Sequence, residues 1–196
     1  MPALDTTISL IDLDDAKDYL DIESDDAWRD QRVQGLINAA SAAINSYLGH
    51  TVKLTSHTEY LNGAGRTIIM VQHRPITEAS NDVAVYLDAT RNFGADTAVD
   101  HDEIGIDEGA GIIELPAATP KGIKTVMVTY DAGYPAGSIP ADIQEACRMM
   151  VRFLDSRRDS IASGVSSITI GDGTATYSED VPIPEAVRAL LDNYDG

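Results

Sequence analysis

Cysteine occurs once in the 196 residues, at Cys147. A single thiol excludes an internal disulfide and any zinc site built on cysteines. Aromatic residues are 6% of the chain against 43% hydrophobic residues in all, so a core has to be mostly aliphatic. No stretch approaches the ~20 consecutive apolar residues that span a bilayer, and no membrane partner is expected. The opening MPALDTTISL has no basic segment leading into an apolar run. No secretory signal is expected, and the chain is expected to stay in a cytoplasm until it joins a partner. Basic residues are scarce: 14 against 32 acidic ones, for a net charge of −18. Such a surface repels phosphate, so DNA would pass it without tight binding. It favours solubility and is silent about fold. The acids are spread along the whole chain, so there is no separate acidic tail.

What is present is a change of hydrophobic period along the chain. Asp12 can cap a helix over Leu13–Leu20, with Asp15 three residues on as a short-armed capping box. Ser24 or Asp25 can cap a second helix from Asp26 to Leu48. In it Trp28, Val33, Leu36, Ile37, Ala40, Ile44, Tyr47 and Leu48 keep the 3.6-residue period of a core-facing helix, and Gly49 suits the position after its end. From residue 51 the period falls toward two. Strands are expected at Lys53–Leu61, Thr67–Val71, Val83–Asp88, Ile112–Leu115 and Lys124–Tyr130, with a short one near Ile104. Pro140 then opens a helix to residue 158 with Ile143, Ala146, Cys147, Met150, Val151 and Leu154 on one stripe. After a Ser/Gly-rich joint, Ile168–Ile170 and Thr174–Tyr177 flank Gly171-Asp172-Gly173 as a hairpin with a three-residue loop. A last helix is expected over Glu185–Tyr194. The fold class is therefore α+β. Residues 1–50 and 140–160 form a small helical bundle, 51–139 form a β-rich insertion, and 161–196 form a C-terminal hairpin and short helix acting as a docking arm.

Residues able to carry chemistry are few. Cys147 lies on an apolar helix stripe with no histidine within 40 residues, and reads as core filler. His50, His57, His73 and His101 form no pair with metal-site spacing. Asp100, Asp102, Glu103, Asp107 and Glu108 are hard oxygen ligands without the spaced pattern of a calcium loop, and read as a solvated acidic loop. Gly63-Ala64-Gly65 and Gly171-Asp172-Gly173 are too short to cradle phosphate and read as turns. No catalytic, cofactor or metal residue is assigned. Arg148, Arg152, Arg157 and Arg158 gather positive charge at one helix end in a very acidic chain. They suit either pairing within the helix or docking on an acidic partner.

The order of phrases says more than any residue. The chain opens with Ser9-Leu10-Ile11-Asp12-Leu13-Asp14-Asp15-Ala16-Lys17-Asp18-Tyr19-Leu20. It carries VMVTYDAGY at Val126–Tyr134, followed by Ile139-Pro140-Ala141-Asp142-Ile143, and ends on Ile183-Pro184-Glu185-Ala186-Val187 with Leu190-Leu191-Asp192-Asn193-Tyr194. This order resembles the head–tail connector, or adaptor, family of tailed phages. The resemblance covers both ends and leaves about residues 62–122 unmatched. It implies a structural protein with no active-site residues, forming a ring of twelve copies between the portal protein and a distal neck or tail protein, with double-stranded DNA passing through. The expected docking residues are Arg148, Arg152, Arg157, Arg158, Ile168, Ile170, Tyr177 and Ile183. The expected lining of the DNA path is Asp96, Asp100, Asp102, Glu103, Asp107 and Glu108. Two other readings stay open: a small metal-dependent hydrolase built on Asp100–Glu108, and another neck component such as a stopper or tail-completion protein.

Overall fold

The computed structural model describes residues 3–23, 26–77, 83–162, 167–170, 173–176 and 183–194. The fold is α+β, with helices contributed by both ends of the chain and β structure between them. It divides into a helical unit, Met1–Leu48 with Ile139–Asp195, and a β unit, Gly49–Ser138.

In the helical unit, α1 spans Leu13–Tyr19, and Asp12 caps it by accepting from the Asp15 N–H at 2.8 Å. α2 spans Ala27–Leu48, and its first turn is held by Asp26, whose carboxylate accepts from the Trp28 N–H. The Ser24 and Asp25 caps lie outside the described residues. α2 ends where Gly49 turns left-handed at φ +71°, a backbone that costs glycine little. α3 runs Ala141–Ala162, longer than its stripe suggested, and α4 spans Glu185–Leu191. α2 and α3 pack together, α1 lies on both, and α4 lies on α3. The buried positions Val33, Ile37, Ala40, Ser41, Ile44 and Leu48 of α2 meet Ile143, Ala146, Cys147, Met150 and Val151 of α3 in one aliphatic core. Trp28 departs from the sequence reading. It falls on the helical period but stands one turn before the first buried residue and is 55% exposed. Cys147 is filler, as its stripe indicates. It touches the Ser41 hydroxyl at 3.7 Å, and burial pushes its thiol pKa up to about 12. That Ser41 oxygen also accepts from the Leu10 N–H at 3.1 Å, which ties the segment before α1 to α2.

In the β unit, β1 (Thr55–Gly63), β6 (Gly122–Ala132) and β3 (Ala84–Leu87) form one antiparallel sheet with β6 in the middle. β2 (Ile68–Met70), β5 (Ile112–Glu114) and β4 (Gly105–Asp107) form a second, with β5 in the middle. The inward residues of both alternate with outward ones, as strand geometry requires. Val126, Val128, Tyr130 and Ala132 from β6 and Val85 from β3 pack against Ile69, Ile113 and Leu115 in a single core. The ends of the unit are fastened to each other: the Leu54 N–H donates to the Tyr134 carbonyl at 2.9 Å, and the Tyr134 N–H to the Val52 carbonyl at 2.7 Å. Outside the β unit, a hairpin pairs β7 (Ser167–Ile170) with β8 (Gly173–Thr176). Ile170 pairs with Gly173, so two residues separate these strands where three were expected.

One polar cluster is folded into the β unit. Tyr130 is fully buried, donates its hydroxyl to Glu59, and accepts from the His73 N–H at 3.1 Å. His57 and His73 stack face to face, 3.7 Å between ring centroids and 7° between planes. Burial lowers the pKa of both. Each also has a histidine neighbour that lowers it further, His73 for His57 and His50 for His73. Glu59 acts against this at both rings, and Asp131 at His57.

Two outcomes follow from this packing. Ile44→Ala removes a fully buried side chain from the helical core and is expected to cost about 2–5 kcal/mol in chemical denaturation. The histidines set a pH response. A lowered folded pKa means the unfolded chain binds the proton more readily, so this part of the stability is present above the ordinary value of 6.5 and is lost as pH falls below it. Urea midpoints measured between pH 8 and 5 should fall for the wild type, and fall less for His57→Gln/His73→Gln.

Candidate interaction surfaces

The arginines of α3 do not form one free patch. Arg148 reaches Asp15 on α1 with Nε at 3.1 Å from each carboxylate oxygen and Nη2 at 2.8 Å from Oδ2, while Nη1 donates to Glu145 at 3.1 Å. This forked, charge-assisted contact clamps α1 to α3. Arg148, expected to dock on another chain, is paired within this one: its partner stands 133 positions earlier in sequence, where helical spacing cannot find it. Arg152, one turn on, is exposed and forms no ion pair among the described residues. Arg157 is partly buried. The side chain of Arg158 lies outside the described residues, as do those of Ile168 and Ile170 and the whole of Tyr177.

The far end of the expected docking arm packs on the helical unit. Ile183 is partly buried. α4 lies on α3 with Val187 and Leu191 fully buried, and the Tyr47 hydroxyl of α2 donates to Asp192 at 3.1 Å. Two apolar residues four apart on a seven-residue helix are enough to hold it in the helical core, so residues 183–194 are part of that core.

Asp96, Asp100, Asp102, Glu103, Asp107 and Glu108 are all exposed. Asp100 accepts from the Asp102 N–H at 3.2 Å and Asp107 from the Ala110 N–H at 3.1 Å, so these two also shape their own turns. Among the described residues, no group of three or more His, Cys, Asp or Glu side chains is placed to hold a metal ion.

A surface not foreseen from sequence lies on the outward face of the β1–β6–β3 sheet. Register places Tyr60, Met127 and Tyr86 side by side on that face. Phe93 comes over Tyr60 with ring centroids 5.7 Å apart. Tyr60, Met127 and Phe93, together with Arg91, Asn92 and Lys124, line an open cleft of about 540 Å³. Its walls are fixed from below. The Asp88 carboxylate accepts from the Thr90 hydroxyl and N–H, each at 2.7 Å, and from the Asn92 and Phe93 N–H groups at 2.7 and 3.1 Å. The Thr90 hydroxyl is the leading cause that lowers the Asp88 pKa to about 2. On the other wall the Lys124 N–H donates to Asn62 at 3.0 Å, and the Thr125 hydroxyl to the Pro120 carbonyl at 2.6 Å. Gly63 makes this possible, since a Cβ there would stand 1.8 Å from the Pro120 oxygen. Arg91, Phe93 and Lys124 all hold left-handed backbones, with φ of +64°, +46° and +54°. Non-glycine residues resist that conformation, so three at one cleft mark a shape held against its local preference.

The pattern that defines the head completion protein family matches residues 9–195. The chain belongs to that family. The match takes in the middle block that the sequence phrases left unplaced, and it bears out the resemblance to phage head–tail connectors. Among solved structures the chain is similar to one from the neck of an empty GTA particle computed with C6 symmetry, at TM-score 0.62 and 18% identity, covering 99% of this chain and 92% of that one. It is similar to another from the virion of a native gene transfer agent (GTA) particle, at 0.61 and 18%, with the same coverage. A third comes from the neck of a native GTA particle computed with C12 symmetry, at 0.59 and 20%, again covering 99% and 92%. At these identities the likeness is one of fold. No curated protein sequence is significantly similar to the chain.

The paired Arg148 and the exposed Arg152 should separate cleanly. Arg148→Ala breaks the clamp on α1 and is expected to cost about 1–2 kcal/mol in chemical denaturation, the range for a half-exposed forked pair. Arg152→Ala should change stability by less than ~0.5 kcal/mol.

Proposed function

We propose that this protein is a structural subunit of the neck of a tailed virus or virus-like particle, an adaptor that forms a ring between the portal and the next neck or tail component. The observation that carries the reading is the head completion match over residues 9–195, nearly the whole chain. The fold supports it: the chain aligns along 99% of its length with proteins solved in GTA necks and virions. Those necks were computed with C6 and C12 symmetry, and a ring of twelve copies satisfies both, because a twelve-fold axis contains a six-fold one. The adaptor role is favoured over a stopper role by the two 22-residue helices, α2 and α3, which dominate the helical unit. No described helix is long and apolar enough to cross a membrane.

In such a ring DNA has to pass without sticking. Each phosphate neutralised by a lysine or arginine would add affinity and salt-dependent drag. A net charge of −18 per copy does the reverse, and repulsion from all sides centres a rod within the ~8–10 Å that salt permits. The exposed Asp96, Asp100, Asp102, Glu103 and Glu108 are the side chains proposed for that wall, and Asp107, expected with them, lies on the outward face of the β2–β5–β4 sheet. Arg152, exposed on α3, is proposed to dock on portal or neighbour.

Particles assembled without this chain should accumulate as filled heads and separate tails, and adding the chain back should restore joining. Antibody labelling in electron micrographs should place it at the neck. Tailed particles that form normally in its absence would remove the proposal.

A further inference from the structure

The β unit presents two outward sheet faces with matching apolar content and opposite charge. On the β1–β6–β3 face, Tyr60 is 50% exposed beside Met127 and Phe93, with the cations Arg91 and Lys124 at the rim. Neither cation forms an ion pair among the described residues. On the β2–β5–β4 face, register aligns Met70 with Ile112 and Asp107, and Ile68 with Glu114 and Gly105. Met70 is 63% and Ile68 55% exposed, and the charges beside them are carboxylates, Asp107 on the edge strand and Glu114 on the middle one. The two faces lie on opposite sides of one core, because the inward residues of both sheets meet in it.

Exposed apolar rows of this kind on a soluble chain mark contact surfaces. The charge at each rim says what it takes. Placing the cationic face of one copy on the same face of another would set Arg91 and Lys124 against themselves, and the acidic face would meet the same difficulty. Placing the cationic face on the acidic face sets Arg91 and Lys124 against Asp107 and Glu114 and covers both apolar rows. A contact that uses two different patches is head-to-tail, the kind that builds a ring when its rotation closes and an open filament when it does not. We infer that these two faces are the two halves of one contact between neighbouring copies of this chain: the Tyr60–Phe93–Met127 cleft with Arg91 and Lys124 receives the Ile68–Met70 face with Asp107 and Glu114. The inference rests on the ring reading above and names its interface. The built walls of the cleft fit this use, since a surface that is already shaped loses less freedom on binding.

The test uses the full-length chain and two charge-reversed variants, Arg91→Glu/Lys124→Glu and Asp107→Lys/Glu114→Lys. Each variant carries two faces of the same sign, so each alone should self-associate more than ~30-fold more weakly than wild type, read as particle mass against concentration. Mixed one to one, every contact again pairs opposite signs, and alternating copies should restore the wild-type assembly. That recovery also shows that both variants fold. Where the wild type assembles only on portal-bearing heads, the same three samples are scored by retention on those heads. Either variant assembling like wild type, or a mixture no better than its parts, overturns the contact. The neck role is judged separately, by the location of the wild-type chain. A neck-located wild type whose variants still assemble overturns the interface alone, and a wild type absent from the neck overturns the role while the mixture still decides the contact.

Discussion

The register of β6 between β1 and β3 decides which side chains of the β unit are inside and which are outside. Val126, Val128, Tyr130 and Ala132 face the core while Met127, Thr129 and Asp131 face away, and each neighbour follows: Leu61 and Leu87 inward with Val126, Tyr60 and Tyr86 outward with Met127. A slip of one residue would exchange the two sets completely. Buried Tyr130 guards against it, because its hydroxyl has partners only in this register: Glu59, two places along β1 from the residue opposite, and the His73 N–H. An unpaired phenol in that core would cost more than a displaced methyl group.

The helical unit is held by different means. Its core is aliphatic and small-sided, and polar links specify how its pieces meet: Ser41 between the leading segment and Cys147, Arg148 and Tyr19 between α1 and α3, Arg32 with Asp155 between α2 and α3, and Tyr47 between α2 and α4. Lys17 and Asp30, paired at 3.0 Å, add another between α1 and α2. Packing supplies the stability here, and these contacts choose one arrangement among several that an aliphatic core would tolerate.

Much of this was legible in the sequence because it rests on local period. The stripes of α2 and α3, the Asp12 cap, Gly49 after α2 and the alternation of β6 all follow from residues within one or two turns or pleats of each other. The failures are non-local. The Arg148–Asp15 pair was not foreseen because Asp15 is far away along the chain, and the packing of α4 on α3 was not because its two buried residues, Val187 and Leu191, make too short a stripe to announce a core. Trp28 matched the period and is exposed, since period says which face a residue is on and not whether the helix is covered at that end. The cleft could not have been read at all. Tyr60, Arg91, Phe93 and Lys124 come from three separated segments, and only strand pairing brings them together.

The paired backbone bonds between Leu54, Tyr134 and Val52 carry a consequence for how such a chain can change over evolutionary time. The β unit begins and ends at one point, so the helical chain it interrupts sees an entry and an exit already joined. The entropy of closing that excursion is settled inside the insert, and it grows only slowly with the insert's length. Strands can then be added, lost or reshaped beyond the junction without asking the helices to refold, which leaves the β unit as the exchangeable part and the helices as the fixed one.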